Sequence, residues 1–151
     1  EYFDETTKER YIPYIIETSA GCDRTLLVLL ADAYRVDADR VLLALHPRFA
    51  PYKAAIFPLQ KKPELMAMAE SIYNDAKKRF RCTLDATGSI GKRYYRQDEI
   101  GTPFCVTVDF DSLEKNSVTV RDRDTKQQIR VDNSQVIDHL SSQLVNWTLQ
   151  V

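Results

Sequence analysis

Apolar positions along this chain fall into two regimes, one before residue 47 and one after it. In the first, the opening residues are polar and aromatic with no clear period. Residues 11–17, YIPYIIE, are dominated by β-branched and aromatic side chains. They predict a strand, with Pro13 at its start or on a sheet edge. Residues 18–21 make a tight connection, and a helix follows from about residue 23 to 34. Its Leu26, Leu27, Val28, Leu29, Leu30 and Ala31 are apolar all round rather than on one stripe. That is the pattern of a helix buried on every side. So short a segment cannot bury it alone, and a larger surrounding body is expected. Residues 37–40 are polar, 41–45 form a short apolar run, and 46–51 hold two prolines without a period. The boundary between two units, 1–46 and 47–151, is expected there.

In the second regime strand and helix patterns alternate. Residues 53–59 form an apolar run of strand length, and Pro63 opens a helix, as prolines do in a first turn. Leu65, Met66, Ala69, Ile72, Tyr73, Ala76 and Phe80 recur at helical spacing, which gives that helix one apolar face. Residues 82–86 predict a second strand. The loop 88–92 leads into a helix that runs to about Glu99, with Gly101 suited to its C-terminal cap. Residues 104–110, 117–123 and 128–131 predict three further strands, the first two separated by a turn at 115–116. Residues 132–134 offer N-caps for a last helix lined by Val136, Ile137, Leu140, Leu144 and Trp147. The order β-α-β-α-β-β-β-α predicts an α/β unit: an open mixed five-stranded sheet with three helices on its two faces. Helical crossovers make the first three strands parallel, and the last strands form an antiparallel hairpin.

Composition narrows the class. The chain has 151 residues, 44% hydrophobic and 28% charged, with a net charge of −1. That is the balance of a globular protein with one real core. There is no apolar run of membrane-spanning length and no secretory leader pattern. The first residue is Glu1, which suggests a piece of something longer. Cys22, Cys82 and Cys105 lack the spacing of a disulfide framework or a zinc site, and read as free thiols in a reducing cytosol. His46 and His139 have no carboxylate or serine arranged around them, so both read as structural or surface residues.

The near-zero charge hides an asymmetry. Residues 1–46 carry five Lys/Arg against nine Asp/Glu, whereas residues 47–151 carry sixteen against thirteen. Seven of the basic residues lie between Lys77 and Arg96, with Asp85 as the sole acid among them. A solvated helix face explains such a run; so does a local attraction for a polyanion.

Two stretches could carry chemistry. In Glu17-Thr18-Ser19-Ala20-Gly21-Cys22-Asp23-Arg24, Gly21 permits close approach of backbone to a ligand. Arg24 in a first helical turn can face phosphate oxygens together with free backbone N–H groups. Glu17 could hold an ammonium group. The blander reading is a helix cap and a surface ion pair. In the stretch 88–103, Gly-Ser-Ile-Gly-Lys-Arg superficially resembles a phosphate loop. It lacks the gap and the Ser/Thr of a Walker A motif, which disfavours a nucleoside triphosphatase. Lys92, Arg93 and Arg96 beside Tyr94 and Tyr95 suit single-stranded RNA, where phosphates need charge and splayed bases need stacking.

The stretches YIPYIIETSAGCDRTLLVLLADAY, LHPRFAPYKAAIFPL, GSIGKRYYRQDEIGTPFCVTVDFD and SVTVRDRDT together resemble the C-terminal portion of the bacterial-type, α₂ class II glycyl-tRNA synthetases. The resemblance covers nearly the whole chain and weakens over the last ten or so residues. It implies that residues 1–46 are the last strand and helix of a class II catalytic domain, with its motif 3. Residues 47–151 would be the anticodon-binding domain shared with the histidyl, prolyl and threonyl enzymes. The family's amino-acid-binding EPSAG corresponds to Glu17, Thr18, Ser19, Ala20 and Gly21, where Glu17 would hold the glycine ammonium and Ser19 would exclude larger amino acids. Its GVDR corresponds to Gly21, Cys22, Asp23 and Arg24, with Arg24 as the catalytic arginine on the ATP phosphates. Thr18 stands for the usual proline and Cys22 for the usual valine.

The resemblance further implies ATP and Mg²⁺ as cofactors of the parent enzyme, a homodimeric parent and a cytoplasmic setting. The expected partner is the tRNA(Gly) anticodon stem-loop. Its candidate contacts are Lys92, Arg93 and Arg96 on the second helix, with Arg121 and Arg123 on the fourth strand. Motifs 1 and 2 are not in the sequence, so this piece alone is not expected to aminoacylate or to hold a cofactor. Two other readings remain: a non-catalytic synthetase-like accessory subunit, of the kind found with mitochondrial DNA polymerase, and a plain interaction module that dimerises through the helix at 26–31. Intact Glu17, Ser19 and Arg24 count against the accessory subunit.

Overall fold

A computed structural model describes residues 1–38 and 40–147. The chain opens with a two-stranded ribbon of β1 (Tyr2–Phe3) and β2 (Arg10–Tyr11), on which Tyr2 and Tyr11 meet edge to face with ring centroids 5.5 Å apart. The strand expected over 11–17 is confined to β2; residues 12–20 are exposed and irregular. A β-prone segment becomes a strand only beside a partner, and no described strand lies alongside residues 12–17. Helix α1 (Cys22–Ala33) follows, with Gly21 as N-cap. Its apolar residues Leu26, Leu27 and Val28 stay 57–67% exposed, so the described part of the chain does not bury this helix.

Helix α1 passes without a loop into β3 (Tyr34–Asp37), which pairs antiparallel with β4 (Arg40–Leu43). This hairpin was not anticipated; Asp37 and Arg40, from the stretch read only as polar, pair at its end. Beyond residues 46–51 comes β5 (Ala54–Pro58), then α2 (Pro63–Ala76), β6 (Cys82–Leu84), α3 (Ile90–Ile100), β7 (Phe104–Val108), α4 (Phe110–Lys115), β8 (Ser117–Asp122), β9 (Gln128–Asp132) and α5 (Val136–Val145).

The sheet order is β6-β5-β7-β8-β9. β5 is parallel to both β6 and β7, while β7–β8 and β8–β9 are antiparallel. The open mixed five-stranded sheet expected from the sequence is therefore present. One short helix is added. The expected strand over 104–110 ends at Val108, because Asp109 caps α4. Its side chain accepts from the Ser112 N–H at 2.9 Å, and the Ser112 hydroxyl lies 3.0 Å from the Asp109 N–H in return. This reciprocal pairing uses serine where glutamate is more usual.

Strand alternation sorts the core into two layers. Ala54 and Ile56 of β5 face Leu65, Ala69 and Ile72 of α2 and Val136 and Leu140 of α5. Ala55 and Phe57 face Ile90 and Tyr94 of α3. Helices α2 and α5 thus cover one face of the sheet and α3 the other. Gly101 closes α3 in the left-handed region at φ +86°, with its N–H directed to the Gln97 and Asp98 carbonyls. No helix among the described residues is long and apolar enough to cross a membrane.

Candidate functional site

Helices α2 and α3 leave the neighbouring parallel strands β5 and β6 toward opposite faces. The carboxyl ends of these strands are therefore the topological switch point of the sheet, the place of a crevice in such folds. Open α/β sheets place ligands at such a point. Two loops meet there, residues 59–62 and residues 85–89, with the Arg93 guanidinium between the Leu59 and Gly88 carbonyls. The second loop is set by Asp85, whose carboxylate accepts from the Thr87 N–H at 2.8 Å and from the Thr87 hydroxyl at 2.6 Å. Arg96 reaches back from α3 to Asp85 Oδ2 at 2.5 Å and to the Thr87 carbonyl at 2.9 Å. Burial opposes ionisation of Asp85, but the bonds from Thr87 and Arg96 outweigh it and hold the carboxyl below its ordinary range. Gly88 turns the loop at φ +71°. Ser89 caps α3 without a side-chain bond, and the first turn carries no acid. The first N–H groups of α3 are therefore left for an outside acceptor.

The five basic residues proposed for RNA contact divide. Lys92 is exposed and the Arg96 side chain is 41% exposed, both at the crevice. Tyr95 beside them is also exposed. Arg93, Arg121 and Arg123 are 3%, 8% and 1% exposed, and face inward. Arg93 donates to the Pro58 carbonyl at 2.5 Å and the Gly88 carbonyl at 3.0 Å, which braces the end of β5 against the crevice loop. Arg121 forms a two-pronged pair with Asp98 at 3.0 and 3.1 Å. Arg123 donates to the carbonyls of Leu45 and Gly101 at 3.0 and 2.8 Å. The cause is periodicity. Ile90, Arg93, Tyr94, Gln97 and Asp98 share the helix face that meets the sheet. Along β8, Val118 and Val120 face α2 and α5, which turns Arg121 toward α3. Charge in the sequence does not reveal that direction, and these three arginines are corrected from RNA contacts to internal braces.

Sequence reading missed Lys61, Lys62 and Phe110 at the same edge of the sheet. Both lysines are exposed, and the Lys62 ammonium lies 4.6 Å from the centre of the Phe110 ring, itself 39% exposed. The available signal was two consecutive lysines a few residues after a strand end.

The second candidate stretch lies at the start of α1. Ser19, Ala20, Gly21 and Arg24 line a shallow concavity of about 400 Å³ with Thr25, Val28 and Leu29. The Thr25 N–H and hydroxyl both donate to the Gly21 carbonyl at 2.9 Å, which fixes the turn. Gly21 offers no side-chain cap. The first amides of α1 and the Arg24 guanidinium thus stand together, a donor set that suits an anionic group. Glu17 and Thr18 lie outside this lining, and Cys22 and Asp23 are exposed on the first turn. Both histidines were read as structural or surface residues. His46 accepts the Arg48 N–H at 3.1 Å and stacks edge-on with Trp147; His139 lines a small cleft beside β9. Cys82 and Cys105 are buried and free, and Cys22 is exposed and free. Among the described residues no three His, Cys, Asp or Glu side chains gather as a metal site.

Residues 53–143 match the family described as "Anticodon binding domain". The chain is also similar to proteins named glycine–tRNA ligase. It is 52% identical to that of Chlorobaculum tepidum over 149 residues, which is 96% of this chain and 32% of the relative. It is 55% identical to that of Caldanaerobacter subterraneus subsp. tengcongensis over 147 residues, 95% of this chain and 32% of the relative. It is 49% identical to that of Borreliella afzelii over 152 residues, 97% of this chain and 34% of the relative. The chain spans about a third of the length of the curated relatives it matches.

Proposed function

Because this chain belongs to the anticodon-binding-domain family, we propose that it is the tRNA-reading part of a glycine–tRNA ligase. In this reading the unit 47–151 binds the anticodon stem-loop of tRNA(Gly) at the crevice outside β5 and β6. Lys61, Lys62, Lys92 and Arg96 meet backbone phosphates, and Tyr95 and Phe110 offer faces for unstacked bases. The observation that carries the proposal is the identity of about half of all positions across nearly the whole chain, from the Glu17–Arg24 stretch through α5.

Residues 1–46 belong, in the same reading, to the catalytic body of the parent, a homodimeric cytoplasmic enzyme that uses ATP and Mg²⁺. Arg24 and the open amides of α1 hold the ATP phosphates, together with Gly21, Cys22 and Asp23. Glu17 takes the glycine ammonium, while Thr18, Ser19, Ala20 and Gly21 shape a pocket too narrow for a side chain. The concavity that joins Ser19, Gly21 and Arg24 fits an anionic ligand in its donor set. ATP supplies the activating phosphorus when bound; the residues here bind and orient.

The test is binding of this chain to a tRNA(Gly) anticodon stem-loop and to one with a changed anticodon, at two salt concentrations. Tighter, anticodon-dependent binding with a marked salt slope is expected. Equal, weak binding to both would reject the reading.

A further inference from the structure

Helix α1 and the crevice helix α3 are joined by more than chain connectivity. The C-cap of α1, Tyr34, is the first residue of β3, and its N–H bonds to the Leu30 carbonyl. The Ala44 N–H returns to the Ala33 carbonyl at 2.7 Å. The hairpin is therefore a continuation of α1 rather than a hinge. Its other end is fixed on α3 by three sets of contacts. Asp98, 1% exposed, receives Arg40 of β4 at 3.0 Å on Oδ2 and Arg121 of β8 on both oxygens. Arg40, 4% exposed, also donates to the Arg123 carbonyl at 2.8 Å and to Asp37 at 3.0 Å. Arg123 holds the Leu45 carbonyl to the Gly101 carbonyl. Finally, Gly101 lies so close to β4 that a Cβ there would stand 2.9 Å from the Leu43 carbonyl oxygen.

We infer that the β3–β4 hairpin is a rigid strut, and that Asp98 is its positioning residue. By holding Arg40 from the hairpin and Arg121 from the sheet, Asp98 fixes α1 and its Gly21–Arg24 turn relative to the helix that bears Lys92 and Arg96. The unit that moves as one with the sheet then begins at Tyr34, ahead of the span 53–143 that matches the family. Two buried guanidiniums share the Asp98 carboxylate, and the remaining Arg40 donors reach Asp37 and the backbone carbonyls of the 123–124 turn. Loss of Asp98 leaves buried Arg121 without a carboxylate and Arg40 with only the more exposed Asp37, whereas loss of Arg40 frees the hairpin and leaves the Asp98–Arg121 pair in place. The link to RNA rests on the tRNA-binding reading; the strut itself does not.

The experiment is a spin-label distance measurement on the full chain. Cys22 at the start of α1 is exposed, while Cys82 and Cys105 are buried. A Ser71→Cys change on the exposed side of α2 therefore supplies the second label site. One narrow distance distribution is expected in this labelled protein. Arg40→Gln and Asp98→Asn should each broaden it at least twofold. Arg40→Lys, which keeps a cation opposite Asp98, should narrow it again. Arg40→Gln should keep its near-ultraviolet circular dichroism and bind the anticodon stem-loop within about threefold of the parent sequence. An unchanged distribution in both Arg40→Gln and Asp98→Asn would overturn the inference. Loss of sheet structure in Arg40→Gln would do so too, since the hairpin would then be core rather than strut. Failure of the parent sequence to bind the stem-loop would overturn the functional reading alone, with the distances still deciding the strut.

Discussion

Gly101 and Gly88 both hold left-handed backbone, at φ +86° and +71°, yet their surroundings differ in a way that fixes the outcome of one substitution. An alanine in the left-handed region costs about 1 kcal/mol from backbone strain. At Gly88 that is nearly the whole cost, because a Cβ would meet only the end of the Arg96 side chain at 4.0 Å. At Gly101 the Cβ would stand 2.9 Å from the Leu43 carbonyl oxygen, 3.0 Å from Leu45 Cδ1 and 3.3 Å from Leu43 Cβ. Two of these three atoms lie at or near the backbone of β4, so relief requires the hairpin to shift, which costs about 1–3 kcal/mol more. Gly101→Ala should therefore lose about 2–4 kcal/mol and Gly88→Ala about 1 kcal/mol. Urea unfolding followed by circular dichroism measures both through the midpoint shift at constant m. Equal losses in the two variants would refute the reasoning, because the left-handed strain common to both would then account for everything and the hairpin would not press on Gly101.

The charged residues give further tests. Lys92→Gln with Arg96→Gln should weaken stem-loop binding about tenfold per lost contact and flatten the salt slope by about 1.4 for two single-strand phosphates, read by fluorescence anisotropy. Arg93→Met should leave the salt slope unchanged and instead lower the unfolding midpoint, since its guanidinium serves the Pro58 and Gly88 carbonyls. Asp85 and Asp109 are held below the ordinary carboxylate range: burial works against their charge, and the bonds from Thr87 and Arg96, and from Ser112 and Arg130, outweigh it. Their contribution is present above an unfolded pKa of about 3.9 and is lost as pH falls through the lower folded values. Acid titration of Arg96→Met should show less of that loss than the parent sequence. A thiol reagent should modify Cys22 rapidly and leave Cys105 untouched until unfolding, because burial removes access to Cys105 and pushes its thiol far up. Mass spectrometry of the labelled peptides decides this.

The sheet was legible because its signals are local and repeated. The short apolar run of β5, Pro63 at a helix start and Gly101 at a helix end all act within a few residues. What escaped the sequence depends on neighbours. The hairpin strands are four residues each, too short for alternation to stand out, and their partner for burial lies some sixty residues away on α3. Residues 12–17 have the composition of a strand but no described neighbour to pair with. Helix α4 hides behind a strand pattern because its cap uses Ser112 instead of a glutamate. At the candidate sites, the turn at Ser19–Arg24 was visible in its residue types, and the structure brings Ser19, Gly21 and Arg24 to one concavity. The basic residues after position 90 were visible as charge, but their direction was not.

That last failure follows from how this domain uses arginine. Helix α3 turns one stripe, with Arg93, Gln97 and Asp98, toward the sheet and another, with Lys92, toward solvent. A guanidinium can be buried without a carboxylate when carbonyl oxygens at a strand end accept its fork, because five donors in one plane can bridge several backbone groups. Arg93 does this at the carboxyl end of β5, whereas Arg123 combines the Leu45 and Gly101 carbonyls with a two-pronged pair to Asp124. Desolvation works against the Arg93 cation, but a guanidinium stays charged at any ordinary pH. A fixed positive charge therefore sits beneath the crevice whether or not RNA is present. Arg93 thus adds a positive charge at the crevice, offset in part by Asp85 beside it, and the exposed Lys61, Lys62, Lys92 and Arg96 add the charges that salt can screen. Binding should accordingly weaken in steps as Lys61, Lys62, Lys92 and Arg96 are neutralised, with a falling salt slope, and adding Arg93→Met to that variant should weaken it further without another fall in the slope.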